Sequence, residues 1–190
     1  MRICEEQRIA QWHALALCTH GWSLGVSGES EKGLAQIGKG VDSYSLGTSQ
    51  HVLLALQADA QLAIGKPEAV LASVAAGLQA VEKMRGAPLE AEFHRLKGEA
   101  LLAGAGTVSD AEAAIEKGID VARRQNAKSW ELRAAASLAR LRRQQGRPQE
   151  ALALLAPILG WFTEGFDTAD LKEAKTLLDK LTEPAIAAEG

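Results

Sequence analysis

The chain has 190 residues, a formal net charge of −3 and 47% apolar residues, most of them Ala and Leu, with aromatics at only 4%. That apolar share supports the core of one domain, and the weakly acidic balance gives no broad basic field for nucleic acid, leaving room only for local patches. No run of about 18 apolar residues offers a membrane span, and the Val/Ile/Thr/Tyr clusters that strands favour are absent, so an all-α chain is expected.

The N-terminal stretch MRICEEQRIAQW places Glu5 and Glu6 where a signal peptide needs its apolar centre, so secretion is not expected. Cys4 and Cys18 share one predicted helix and lie fourteen residues apart. At about 1.5 Å of rise per residue they cannot pair, which fits a reduced, cytoplasmic protein. Helix-breaking residues then recur along the chain: Gly28, Gly47, Gly65-Lys66-Pro67, Gly86-Ala87-Pro88, Gly104 to Ser109, Asn126, Gly146-Arg147-Pro148 and Gly165 to Thr168. Cutting there leaves about nine helices. The Gly-Lys-Pro and Gly-Arg-Pro breaks share one mechanism. Gly ends a helix in a left-handed conformation, and Pro suits the first turn of the next, so the flanking helices turn back antiparallel. A last helix, Asp170 to Leu181, carries the apolar stripe Leu171, Ala174, Leu178 and Leu181 and turns Lys172, Glu173 and Lys180 to water. It reads as the cap of a stack. The repeat domain is expected over residues 1–183, with a flexible tail over 184–190.

Small residues recur where paired helices would cross: mid first helix, early second helix and late second helix. The hairpins supply Gly21, Gly33 and Gly40; then Ala58 and Gly77, with Val70 between; then Gly98, Ala111 and Gly118; then Ala139 and Ala151, with Ile158 last. The first-helix positions step by 37, 40 and 41 residues, longer than the roughly 34 of a standard tetratricopeptide (TPR) repeat. The expected fold is a TPR-like α-α superhelix of about four antiparallel hairpins plus a C-terminal capping helix.

Counting outward from the small residue of each first helix by three and four gives the groove-facing side chains. These are Leu15, Cys18, Trp22 and Gly25; Val52, Ala55, Asp59 and Leu62; Glu92, Arg95, Glu99 and Leu102; Arg133, Ala136, Arg140 and Arg143. The expected groove runs from apolar to mixed to basic. Trp22, Asp59, Glu92, Arg95, Glu99, Arg133, Arg140 and Arg143 are its candidate partner-binding residues. Arg133, Arg140 and Arg143 could hold the carboxylates of an acidic segment through paired hydrogen bonds. The competing reading makes them a solvated face with local Glu partners. Trp12, Trp130 and Trp161 read as hairpin-core anchors. Apolar residues around much of the first helix also raise self-association.

Motifs for chemistry are weak. Gly33 to Gly40 nearly spells a phosphate-binding loop, but Gly40 stands where Ser or Thr must hold magnesium, and no strand precedes it. His13, His20, His51 and His94 show no zinc spacing. No nucleophile elbow or activated cysteine is marked. No catalytic residue, cofactor or metal site is expected. The expected role is a non-catalytic scaffold for a protein or peptide, without nucleic acid or membrane.

Three segments resemble a known family: Ala122 to Leu141, Leu155 to Ala174 with its run Trp161-Phe162-Thr163-Glu164-Gly165-Phe166-Asp167, and Glu92 to Glu99. They are similar to the C-terminal TPR region of large bacterial regulators that join an adenylate/guanylate cyclase or DNA-binding domain to an AAA-type ATPase. The resemblance is dense from about Glu90 to Leu181 and looser before. It implies a TPR fold and a regulatory role in signal transduction. It carries over no cyclase or ATPase chemistry, because those domains lie N-terminal and this chain starts at Met1 within the repeats.

Overall fold

The computed structural model describes residues 10–43, 50–82, 84 and 88–183. Nine α-helices and no strand occur among them: α1 (Ala10–Val26), α2 (Ser30–Ser43), α3 (Gln50–Ala63), α4 (Pro67–Glu82), α5 (Glu90–Ala100), α6 (Val108–Arg124), α7 (Lys128–Gln144), α8 (Pro148–Leu159) and α9 (Ala169–Thr182). Cys4, the Glu5-Glu6 pair, the breaks at Gly47 and Gly86-Ala87 and the 184–190 tail lie outside the described residues.

The helices pair as α1/α2, α3/α4, α5/α6 and α7/α8. Each second helix also touches the first helix that follows it, and the first helices touch one another in the row α1, α3, α5, α7, α9. No single central core exists among the described residues. Apolar clusters succeed one another along the stack, the largest spanning α6 to α9. This is the nearest-neighbour construction of a solenoid, in which each hairpin buries the apolar face of the next.

The turns follow from their residues. Gly28, Gly65 and Gly146 adopt φ of +96°, +69° and +74°, and Asn126 takes φ +53°. At each, the amide one residue further on closes a loop back to the ending helix: Glu29 to Leu24, Lys66 to Gln61, Ala127 to Ala122 and Arg147 to Arg142, at 2.8–3.0 Å. Four turns thus share one helix-stop motif. The third hairpin differs. The sequence places one extra residue in its loop, and α5 absorbs it by widening into a π-helical turn, Leu101–Ala105. Thr107 then caps α6, its hydroxyl oxygen accepting from the Asp110 amide at 3.1 Å.

The small-residue register is realised in detail. A Cβ on Gly21 would lie 2.5 Å from the Gly33 carbonyl oxygen, so α1 and α2 touch backbone to backbone. A Cβ on Gly98 would meet the Ala111 carbonyl at 2.9 Å, and one on Gly118 the Ala91 carbonyl at 2.9 Å. Ala58, Val70, Ala111, Ala139 and Ala151 are fully buried. Gly77 serves a different joint: its missing side chain leaves room for the ring of Phe93 from the next hairpin. The run Gly33 to Gly40 lies within α2, where helix packing accounts for both terminal glycines.

Candidate partner-binding face

The row of first helices presents one continuous polar network on an apolar ground. Trp22, 42% exposed on α1, donates its indole N–H to Asp59 Oδ2 on α3 at 3.1 Å. Asp59 Oδ1 lies 3.7 Å from Arg95 on α5 and 3.8 Å from Arg133 on α7. Arg95 is only 7% exposed. It grips Glu92 with two hydrogen bonds, Nε to Oε2 at 2.9 Å and Nη2 to Oε1 at 2.7 Å. Arg133 also donates to Glu92 Oε1, at 2.8 Å, reaches Asp170 on α9 at 3.5 Å, and stacks over Trp130 at 5.5 Å. Further along, Arg140 donates to Glu99 at 3.1 Å and pairs with Glu173 of α9. The Ser137 hydroxyl also donates to Glu99.

The electrostatics are those of paired buried charge. Burial opposes the Arg95 charge, but Glu92, Glu99 and Asp59 outweigh it and raise its pKa above the ordinary arginine value. A buried carboxylate such as Glu92 is tolerable only because two guanidiniums satisfy it. Five carboxylates, Asp59, Glu92, Glu99, Asp170 and Glu173, thus share three guanidiniums.

Three hollows follow this row. A cavity of about 270 Å³ has Trp22, Val52, Ala55, Leu56, Leu89 and Trp130 as walls and Asp59, Glu92 and Arg133 as its polar side. A slot of about 60 Å³ lies between Arg95, Arg133, Arg140, Asp170 and Glu173. A cleft of about 390 Å³ opens between α7 and α9 at Arg140, Arg143, Glu173, Thr176, Leu177 and Lys180. Neighbouring hollows share residues, Arg133 first and then Arg140 with Glu173, so they form one track.

The eight candidate residues therefore sort by role. Trp22, Asp59, Glu92, Arg95, Arg133, Arg140 and Arg143 line the hollows, Glu92 and Arg95 being the buried ones among them, and Glu99 holds Arg140 from the side. Arg133 and Arg140 have the local acidic partners of the second reading, whereas Arg143 is exposed without an ion pair among the described residues. Cys18 does not face the groove. It is buried between α1 and α2, where its thiol donates to the Ile37 carbonyl at 3.5 Å and burial pushes its pKa up to about 11. Trp12 and Trp161, expected in hairpin cores, are both 58% exposed. Trp161 lies beyond the end of α8, in an irregular segment, edge-on to Phe162 and under the Lys128 ammonium. Register counting missed Trp130, Leu89 and the whole of α9. Asp170, Glu173, Leu177 and Lys180 repeat the spacing of Arg133, Ala136, Arg140 and Arg143, offset by 37 residues. Applying that spacing to the capping helix would have found them.

Among the described residues no group of three or more His, Cys, Asp or Glu is placed to hold a metal ion, and no helix is long and apolar enough to cross a membrane. No protein-family model and no curated protein matches the sequence. Solved structures do match. The chain is similar to the nearly identical TPR-like repeats of a putative kinesin light chain from Podosopora anserina, with a TM-score of 0.66 at 14% identity over 90% of this chain and 86% of that one. A singly substituted form of that protein gives 0.65 at 15% identity over 89% and 86%. The fold is thus TPR-like. None of these comparisons carries the ATPase or cyclase setting that the resemblance implies.

Proposed function

We propose that this protein is a non-catalytic interaction scaffold whose first-helix face holds a segment of another protein. One observation carries the reading: the cavity between Trp22 and Trp130, with apolar walls drawn from α1, α3 and α7 and from Leu89 just before α5. Its volume suits one large apolar side chain. Trp22 is held in place by Asp59, and Trp130 by the Arg133 guanidinium over its ring, so both anchors are ordered before a partner arrives. Large aromatics in such positions dominate interface energetics, each worth about 2–4 kcal/mol on truncation.

The test is capture of protein partners from the host by the purified chain, with Trp22→Ala and Trp130→Ala beside it. Each variant is expected to lose at least tenfold in affinity for a captured partner; Trp22→Ala keeps its melting temperature within a few degrees, whereas Trp130→Ala also loses packing on Ala91, Val121 and Ala122 and melts lower. Undiminished capture by the double variant overturns the reading. Light scattering of the same samples distinguishes a foreign partner from a second copy of the chain. A finer setting, as the cytoplasmic regulatory tail of an ATPase or cyclase assembly, rests on the 90–181 resemblance alone. Co-purification of such a protein with the wild-type chain, lost in the Trp variants, would support it.

A further inference from the structure

We infer that the cleft between the C-terminal halves of α7 and α9 is a carboxylate-binding site, which takes the acidic residues of a partner segment whose apolar anchor sits in the Trp22–Trp130 cavity. The inference rests on the scaffold reading and adds the chemistry of the far end of the track.

The cations are distributed unevenly along the first-helix row. In its middle, carboxylates outnumber guanidiniums, so an acidic side chain entering there meets occupied arginines and surplus negative charge. The balance reverses at the α7–α9 cleft. Arg140, Arg143 and Lys180 line about 390 Å³ of space with a single carboxylate, Glu173, which Arg140 already holds. Arg143 and Lys180 are exposed and make no ion pair among the described residues. Arg142, in the same last turn of α7, has Glu116 at 3.1 Å and Glu112 at 3.7 Å. The carboxyl end of α7 therefore already has a compensated cation, and Arg143 remains available for a ligand. Leu177 gives the cleft an apolar side, and Thr176 and Gln144 add hydrogen-bonding groups. Arg143 can grip a carboxylate with two parallel bonds, and Lys180 adds a point charge. The long-range field steers an acidic segment to this end and away from the middle, which fixes the direction in which the segment lies.

Fluorescein-labelled octaglutamate serves as the probe, read by anisotropy at about 50 mM and about 500 mM salt, where screening lengths differ roughly threefold. The double variant Arg143→Glu/Lys180→Glu is expected to lose at least tenfold in affinity at the lower salt, and the Gln/Gln pair several-fold. Glu173→Gln removes the cleft's single carboxylate, leaving Arg140 to Glu99 and Ser137, and is expected to tighten binding two- to threefold. Trp22→Ala is expected to change nothing. Amide shifts in a titration of the labelled protein should gather at residues 140–144 and 173–180. Thermal melts confirm that each variant is folded. Binding indifferent to both the charge reversal and Glu173→Gln overturns the inference, as do shifts gathered away from the cleft. Equal affinity for an oligothymidylate of matched charge also overturns it, since that marks an unselective polyanion surface. If octaglutamate fails while Trp22→Ala still abolishes partner capture, the cleft assignment falls and the scaffold reading stands.

Discussion

Between α1 and α2 the chain joins helices by removing side chains; between α5, α7 and α9 it adds charge pairs to an apolar core. Gly21, Gly33 and Gly40 bring the first two helices to backbone contact, with Cys18 sealed in the joint. Arg133 and Arg140 instead bridge helices through carboxylates 33 to 41 residues away in sequence. The first joint is dry and intolerant of added volume. The second is intolerant of a lost charge, because the carboxylates left behind include the buried Glu92 and the part-buried Glu99. In a solenoid the two kinds of joint fail separately, since stability is roughly a sum over neighbours.

The largest effect expected is from Arg95→Ala. It strips Glu92 of its bidentate partner and should cost about 3–5 kcal/mol, read as a loss in denaturant midpoint for the α5–α9 signal. If the loss is below about 1 kcal/mol, the network is ornamental to stability. Next comes Gly33→Ala, whose methyl would press on the Gly21 carbonyl of α1, at a cost of about 1–3 kcal/mol confined to the first hairpin. Alkylation of Cys18 in a Cys4→Ser background reports that opening directly. It should accelerate roughly tenfold or more while the C-terminal transition stays put. A C-terminal shift of equal size would mean that the two regions are one cooperative unit.

A smaller effect concerns acid. Burial would raise the pKa of Glu131, but the Lys128 ammonium and the Arg123 guanidinium, at 2.6 and 2.9 Å, overcome it and hold the carboxyl below its usual range. A depressed folded pKa adds stability that is present above the unfolded value of about 4.3 and is lost as pH falls through the folded value. Glu131→Gln should therefore lower stability at neutral pH and flatten the acid limb below about pH 4.5. An unchanged acid limb would show that Lys128 and Arg123 do not hold that charge in solution. The smallest effect expected is at Lys32, whose pair with Glu29 is exposed at one end of α2. Lys32→Ala should leave the melt unchanged within error, as for most surface pairs.

The crossing points were legible in the sequence because steric exclusion acts locally: a position that meets a backbone must be small, and it recurs once per hairpin. The turns were legible for a similar reason, since Gly65-Lys66-Pro67 and Gly146-Arg147-Pro148 carry the conformation and the stop in adjacent residues. The charge pairs were only half legible. Counting along each first helix placed Arg133 and Arg140 on the right face, but their partners Glu92, Glu99, Asp170 and Glu173 come from other helices. Which carboxylate reaches which guanidinium depends on the offset between hairpins, which no single helix encodes. Reading α9 only as a cap hid its contribution, because Glu173 and Lys180 were assigned to water alone, whereas both border the track. The inward turn of Cys18 was missed for a simpler cause: on α1 the apolar residues surround the helix, so periodicity gives no unique inside.

Helical repeats are commonly treated as interchangeable modules that can be excised, duplicated or transplanted. The shared carboxylates of this chain argue otherwise for its C-terminal half. Removing the α5/α6 hairpin would take Glu92 and Glu99 away from Arg133 and Arg140 while leaving Asp59 facing neither of its present cations in register. A chimera that respects only the small-residue spacing would inherit mismatched charges on two fronts. Exchanging α5 through α9 as a block keeps Glu92, Glu99, Asp170 and Glu173 with their guanidiniums and parts only Asp59 from Arg95 and Arg133.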